Sequence, residues 1–410
     1  MRILHISEVE INKQVGEIFK PIKYGENTVG VCYPGCKIYY NLTCFLDSPK
    51  ILKSELGKYY QRYIFVTLYL SNDPTTQEIV NIIANEVFKS GIALGQNPSF
   101  DQICDAVIEN GRELHLFFLD AHTISRDKLD QLLDLLYPQF AKSNKIHGTL
   151  FFEENIYKEE LYSILKAHHI FLQNISFFPT YSSKESQIFL KNVVKEWKLK
   201  ISVKKINDIA GYCGGYLWLL KEALKICRDS NNISIQEVIN RPSMKFRLDS
   251  IYSLFTPEEK NDLYSIVNNK SKTIDPNNLL YFTSVGILSL KKNRLILSLP
   301  LLSNLIKSDT TTKKIKLYLV NGNIIYKDKD ITLEISPSEI KILTELIKKK
   351  NQLITRESLA QIIWEKDWIE KYSDWALDKL ISRLRSSLSN LGLPKNILIV
   401  KKGRGVILRI

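Results

Sequence analysis

The sequence has no apolar run near the roughly twenty residues that a membrane-crossing helix needs, so no membrane partner is expected. It has no paired CxxC arrangement. Its six cysteines, at 32, 36, 44, 104, 213 and 227, are spaced as reduced, mostly buried thiols, and Cys32 and Cys36 lack a nearby histidine to complete a metal site. The six histidines form no nucleophile or metal pattern. No metal or cofactor is therefore expected. The opening MRILHISEVE lacks a long apolar segment and a small-residue cleavage pattern, so the expectation is an intracellular, cytoplasmic chain.

What is present is a folded composition. The chain has 410 residues and 44% hydrophobic content, enough for two or three domains that each bury a core. The formal charge is +13, and it is unevenly placed. From residue 311 to 410 there are 20 Lys and Arg against 11 Asp and Glu, a net +9, and such a local field attracts polyanions.

The first half alternates strand and helix patterns. NTVGVCY (27–33), RYIFVTLYL (62–70), ELHLFFLDA (113–121), KIHGTLFFEE (145–154) and IFLQNISFFP (170–179) read as strands, with helical patterns between them. That alternation predicts a parallel, three-layer α/β domain. The turn after the first strand is where such a domain holds phosphate on helix N-terminal amides. Gly30 and Gly35 have the separation of a phosphate-binding loop, but Cys36 stands at the lysine position and Lys37 at the hydroxyl position. Using Lys37 as the lysine puts Ile38 where the hydroxyl belongs. Asp120 ends the third strand as a magnesium-binding acid would, yet Ala121 follows it and supplies no second carboxylate. Gly30, Gly35, Lys37 and Asp120 thus outline a degenerate pocket, and ATP hydrolysis is not expected. The first strand is not followed by an acidic pair, so a phosphoreceiver is not expected either.

This order resembles the P-loop ATPase domains of the AAA+/STAND superfamily, in its Orc/Cdc6-like branch, over roughly residues 20–310. FPTYSSKE (178–185) looks like the passage into that family's helical lid, and GYCGGYLWLL (211–220) like its glycine-rich lid motif, with Leu217 at the proline position. The departures imply a scaffold that keeps the fold without the chemistry. Independently of the family, Gly211, Gly214 and Gly215 permit a tight turn or a close helix contact. LFTPEEKNDLYSIV (254–267) has a threonine cap, a first-turn proline and two early acids. With the following helix and hairpin it reads as a winged-helix-like module suited to packing or protein contact.

In the last hundred residues, short strands separated by Asn321-Gly322 and by 327–330 precede helices opening at Ser336-Pro337 and at Thr355-Arg356-Glu357. YSDWALDKLISRLRSSL (372–388) follows. Ala376, Leu377, Leu380, Ile381, Leu384 and Leu388 make a buried stripe, with Asp374 placed to cap the first turn. Lys379, Ser382, Arg383, Ser386 and Ser387 lie off that stripe, as a major-groove helix requires. ILIVKKGRGVILRI (397–410) reads as two strands joined by a basic, glycine-punctuated turn. Trp368 and Trp375 are expected to pack in the inter-helix loop.

The run of strands, three helices and hairpin resembles the DNA-binding effector domain of OmpR/PhoB-type regulators. The resemblance implies that the helix through Lys379, Ser382 and Arg383 enters the major groove and that Arg383 or Arg385 contacts backbone or base. It implies that the turn bearing Lys401, Lys402 and Arg404 reaches phosphate or the adjacent minor groove, and that Thr355, Arg356 and Trp364 lie at the backbone-facing helix or core. Ser386-Ser387 departs from the family, whose members carry lysines there. The expected fold is a multidomain α/β chain: a parallel-sheet P-loop NTPase-like domain (1–175), a helical lid (176–245), a small winged-helix-like module (246–308), a linker (309–315) and an OmpR-type winged helix-turn-helix domain (316–410). The expected partners are double-stranded DNA and either a second copy or another protein, with the chain placed on the nucleoid.

Overall fold

In this computed structural model the described residues are 5–230, 233–268, 274–291, 294–308, 317–320, 322–326, 329–393, 397–401 and 404–408. They fall into two compact units, Met1–Lys307 and Ser308–Ile410. The linker expected at 309–315 lies outside the described residues.

The first unit is built on five parallel strands: β1 (Thr28–Cys32), β2 (Tyr63–Tyr69), β3 (Glu113–Leu119), β4 (Ile146–Phe152) and β5 (Asn174–Phe178). Their order in the sheet is β2-β3-β4-β1-β5. β1, β3 and β4 are buried along almost their whole length, as strands covered on both faces must be. β2, at an edge, alternates. The helices α1 (Glu8–Lys23), α2 (Tyr39–Leu46) and α3 (Pro49–Leu56) cover one face, where Phe19, Phe45, Phe117 and Phe151 share a cluster. On the other face lie α4 (Thr76–Lys89), α5 (Phe100–Glu109), α6 (Arg126–Lys142) and α7 (Glu159–Ala167), packed with Val29, Leu116, Phe118 and Leu150. This is the parallel, three-layer α/β architecture that the alternation predicts. Ser7 caps α1 and its hydroxyl donates to Glu185 at 2.7 Å.

The unit continues through α8 (Ser183–Glu196), α9 (Val203–Cys213), α10 (Leu217–Asp229), α11 (Ile235–Ile239), α12 (Pro242–Ser253), α13 (Pro257–Val267) and α14 (Pro276–Ser284). The hairpin β6 (Leu288–Lys291) and β7 (Arg294–Leu297) and the helix α15 (Pro300–Ser308) complete it. Thr256 and Glu259 form the capping box expected for α13. One hydrophobic cluster runs from Ile6 to Ile306, so the segments 176–245 and 246–308 share the core of the sheet. The glycine pair does close-packing work. A Cβ on Gly214 would lie 2.1 Å from the Ser298 carbonyl oxygen, and one on Gly215 would lie 2.0 Å from that of Tyr181. Tyr281 of α14 donates its hydroxyl to the Cys32 carbonyl at the end of β1, at 3.2 Å.

The second unit opens with β8 (Leu317–Val320), β9 (Asn323–Tyr326) and β10 (Lys329–Asp330), an antiparallel sheet ordered β10-β9-β8. Then come α16 (Pro337–Lys348), β11 (Leu353–Thr355), α17 (Arg356–Trp364), α18 (Trp368–Lys371), α19 (Asp374–Asn390), β12 (Leu398–Lys401) and β13 (Gly405–Leu408). β11 joins the terminal hairpin in the order β11-β13-β12. Its core gathers Leu343, Leu346, Leu359, Leu377, Leu384 and Val406. The helices α16, α17 and α19, backed by this hairpin, make a winged-helix unit.

Candidate nucleic-acid interface

α19 forms because four residues spaced for one helical face, Leu377, Ile381, Leu384 and Leu388, are all buried. Ser373, not Asp374, is the N-cap: its hydroxyl accepts from the Ala376 amide at 3.1 Å. Asp374 is engaged elsewhere. Its carboxylate accepts from the Arg356 Nε at 2.8 Å and from the Tyr372 hydroxyl at 2.7 Å. Those two bonds, Tyr372 first, hold the Asp374 carboxyl below its ordinary range. Arg356 also donates to Asp378 Oδ1 at 2.8 Å and to the Asp374 carbonyl at 3.0 Å. This buried guanidinium at the start of α17 therefore fixes the first turn of α19, as its planar fork allows.

Lys379, Ser382, Arg383 and Ser386 are exposed on α19. The Arg383 guanidinium has no hydrogen bond or ion pair among the described residues. Trp375 departs from the packing expectation, being 72% exposed, because it lies across the helix from Leu377 and Ile381. The Lys379 ammonium stands 4.8 Å from its ring centroid. Trp368 is half-buried. Arg385 is exposed, but its guanidinium donates to the Leu398 carbonyl at 3.2 Å and so ties α19 to the wing strand β12.

The Ser386-Ser387 departure has a structural counterpart. Ser386 donates back to the Ser382 carbonyl at 3.1 Å. Ser387 donates to Glu339 Oε1 at 3.1 Å, and Glu339 is the acid that closes the capping box of α16 with Ser336. One hydroxyl thus couples the C-terminal part of α19 to the start of α16.

Lys401 and Arg404 are exposed where β12 turns into β13, while Lys402 lies outside the described residues. The Arg404 amide donates to the Lys401 carbonyl at 2.9 Å, and the Arg404 carbonyl accepts from the Arg356 amide at 3.2 Å. Gly405 is required here. Its φ is +154°, and a Cβ would lie 2.0 Å from the Ile354 carbonyl oxygen. Thr355 caps α17 and Trp364 is half-buried against the core, so both serve the framework.

The sequence-predicted pocket residues of the first unit are placed differently from one another. Gly30 is in the middle of β1, paired with Phe151 and Ser176, where a Cβ would strike the Phe151 ring at 2.5 Å. It belongs to the sheet and not to the loop. Gly35 and Lys37 are in the β1–α2 loop at φ +81° and +54°. Asp120 is half-buried just past β3, also left-handed at φ +58°. The residue that completes this loop is one sequence reading passed over. Glu153, directly after β4 and 5% exposed, accepts from the Gly35 amide at 2.8 Å and from the Lys37 amide at 3.0 Å. A cavity of about 680 Å³ adjoins the loop, lined by Cys36, Lys37, Tyr40, Asn41, Tyr181 and Trp218 among others. Among the described residues no group of three or more His, Cys, Asp or Glu could hold a metal ion, and no helix is long and apolar enough to cross a membrane.

The family described as "Transcriptional regulatory protein, C terminal" matches residues 329–408. The response regulator protein GraR of Staphylococcus haemolyticus is 36% identical over 76 residues, 18% of this chain and 33% of that protein. The sensory transduction protein BceR of Halalkalibacterium halodurans is 39% identical over 62 residues, 15% of this chain and 26% of that protein. The chain thus spans a third or less of the length of these curated relatives. Among solved structures, a Walker-type ATPase of Pyrococcus abyssi aligns at 14% identity and TM-score 0.49, covering 74% of this chain and 96% of that one. The ORC1 protein of Aeropyrum pernix in complex with DNA aligns at 10% identity and TM-score 0.43, covering 99% and 90%. The family model thus falls on the winged-helix unit at the C-terminal end, and the N-terminal unit joined to it is a five-stranded parallel α/β fold.

Proposed function

We propose that this protein is a sequence-specific, double-stranded-DNA-binding regulator of transcription that reads its site with α19. One observation carries the reading: Lys379, Ser382 and Arg383 stand exposed on a helix whose other face is sealed into the core. A helix of that kind fits the major groove, where a guanidinium can bond both O6 and N7 of guanine. Arg383, with no partner among the described residues, is the residue for that contact. Lys379 and Ser382 reach the neighbouring base edge or phosphate. The wing, through Lys401, Lys402 and Arg404, grips backbone beside the groove. Arg385 acts less as a reader than as a strut, because its guanidinium already bonds Leu398. The names of the curated relatives, a response regulator and a sensory transduction protein, support a regulatory setting. In this reading the N-terminal unit is a non-catalytic sensing or oligomerisation part, reached through a partner protein or a second copy, and the protein works on the nucleoid in the cytoplasm.

Genome-wide mapping of bound DNA supplies the operator for the test. On that duplex, Arg383→Ala in the intact protein is expected to weaken binding by about 1–3 kcal/mol and to relax preference at one base pair. Unchanged affinity together with unchanged preference in the Lys379→Ala/Arg383→Ala double variant would remove α19 as the reader.

A further inference from the structure

We propose that Glu153 is a built-in anion, a carboxylate seated on the amides of the β1–α2 loop in place of a ligand's phosphate, which keeps the N-terminal unit in a ligand-independent form. Each oxygen has its own donor: Oε2 takes the Gly35 amide at 2.8 Å and Oε1 the Lys37 amide at 3.0 Å. The two donors sit at left-handed residues, the backbone arrangement that turns amides inward around an anion. Bonds of this kind to an ionised acceptor are about twice as strong as neutral ones. The backbone that carries this side chain is fixed as well, since the Glu153 main-chain amide donates to His122 Nδ1 at 3.3 Å.

Geometry leaves an incoming phosphate little to use. The two amides are occupied, and the side chain occupying them is a buried negative charge that would repel it. The Lys37 side chain is exposed. Ile38, the N-cap of α2, offers no side-chain bond of its own. Glu153 therefore does with a covalently held group what a bound ligand does in a phosphate loop. It satisfies buried donors and fixes β4 to the start of α2. The inference stands apart from the DNA-binding reading, because it concerns the other unit.

The test is a set of thermal melts and calorimetric titrations on the full-length protein, using inorganic pyrophosphate, Mg·ATP and acetate as probes. The wild type is expected to show no shift in Tm with any of them. Glu153→Ala is expected to melt several degrees lower, to regain part of that loss in acetate, and to bind pyrophosphate roughly tenfold more tightly than the wild type. Glu153→Gln, which keeps the shape and an acceptor for one amide, should fall between the two and serves if the alanine variant does not fold. The proposal is overturned if the wild type binds pyrophosphate or Mg·ATP as tightly as the variants, or if Glu153→Ala melts with the wild type.

Discussion

His115 and His147 face each other inside the sheet, their ring centroids 4.7 Å apart and both residues fully buried. The His115 Nε2 meets Thr149 Oγ1 at 3.0 Å, but neither ring nitrogen of His147 has a partner among the described residues. Burial pushes both below the ordinary histidine range, His147 to about 4, with the neighbouring ring adding to the effect on His115. The unfolded chain binds these protons near pH 6.5 and the folded chain does not. Stability from the neutral pair is thus fully present above pH 6.5 and is lost as pH falls from there toward 4. For His147 alone the loss is expected to reach roughly 3 kcal/mol by pH 4. Denaturant unfolding at pH 7 and pH 4.5 checks it: His147→Leu should lose visibly less stability over that interval than the wild type. What was legible at this scale was exposure. Helical spacing alone assigned Lys379 and Arg383 to the open face of α19. Partners were not legible, because Glu153 meets the Gly35 amide 118 positions away in the chain. Periodicity reports a face, never the group opposite.

At the scale of elements, the wing depends on a single backbone position. Gly405 begins β13 against the Ile354 carbonyl, and Gly405→Ala is expected to destabilise the C-terminal unit by about 2–4 kcal/mol. A melt of the intact protein, followed by DNA binding well below the lowered transition, separates the stability effect from the loss of a reader. The strand β11 was not foreseen. Its three residues are too short for a periodic signal, and they become a strand only because β13 returns to pair with them. Helix starts were easier, since Ser336-Pro337, Thr256-Pro257 and Thr355 announce themselves by composition. The start of α19 was misplaced by one residue for a physical reason. Ser373 and Asp374 are both good caps, and the choice was made by Arg356, which claims the carboxylate and leaves the hydroxyl to the helix.

For the whole molecule, the charge imbalance becomes a salt law. The net +9 of residues 311–410 is spread over the unit that carries α19 and the wing. Each phosphate contact contributes a slope of about −0.9 to log affinity against log salt, so Lys401→Ala/Arg404→Ala should flatten the slope by roughly 2 and weaken all sequences alike. Fluorescence anisotropy across a salt series checks this, and a slope that does not change would deny the wing its phosphate contacts. The alternation of strands and helices made the first unit's architecture readable from sequence. That residues 176–308 share the core on one face of its sheet was not readable: contacts such as Gly214 on Ser298 and Tyr281 on Cys32 join segments whose local patterns look self-sufficient. Glu153 has a last consequence at this scale. A bound nucleotide is a clock, because it is split, released and replaced, and each event can reset the protein around it. A carboxylate tethered to the chain never departs. On the proposed reading, with Glu153 in that seat the protein keeps no internal time, and its response is set by abundance alone: how much operator, how much partner, how many copies of itself.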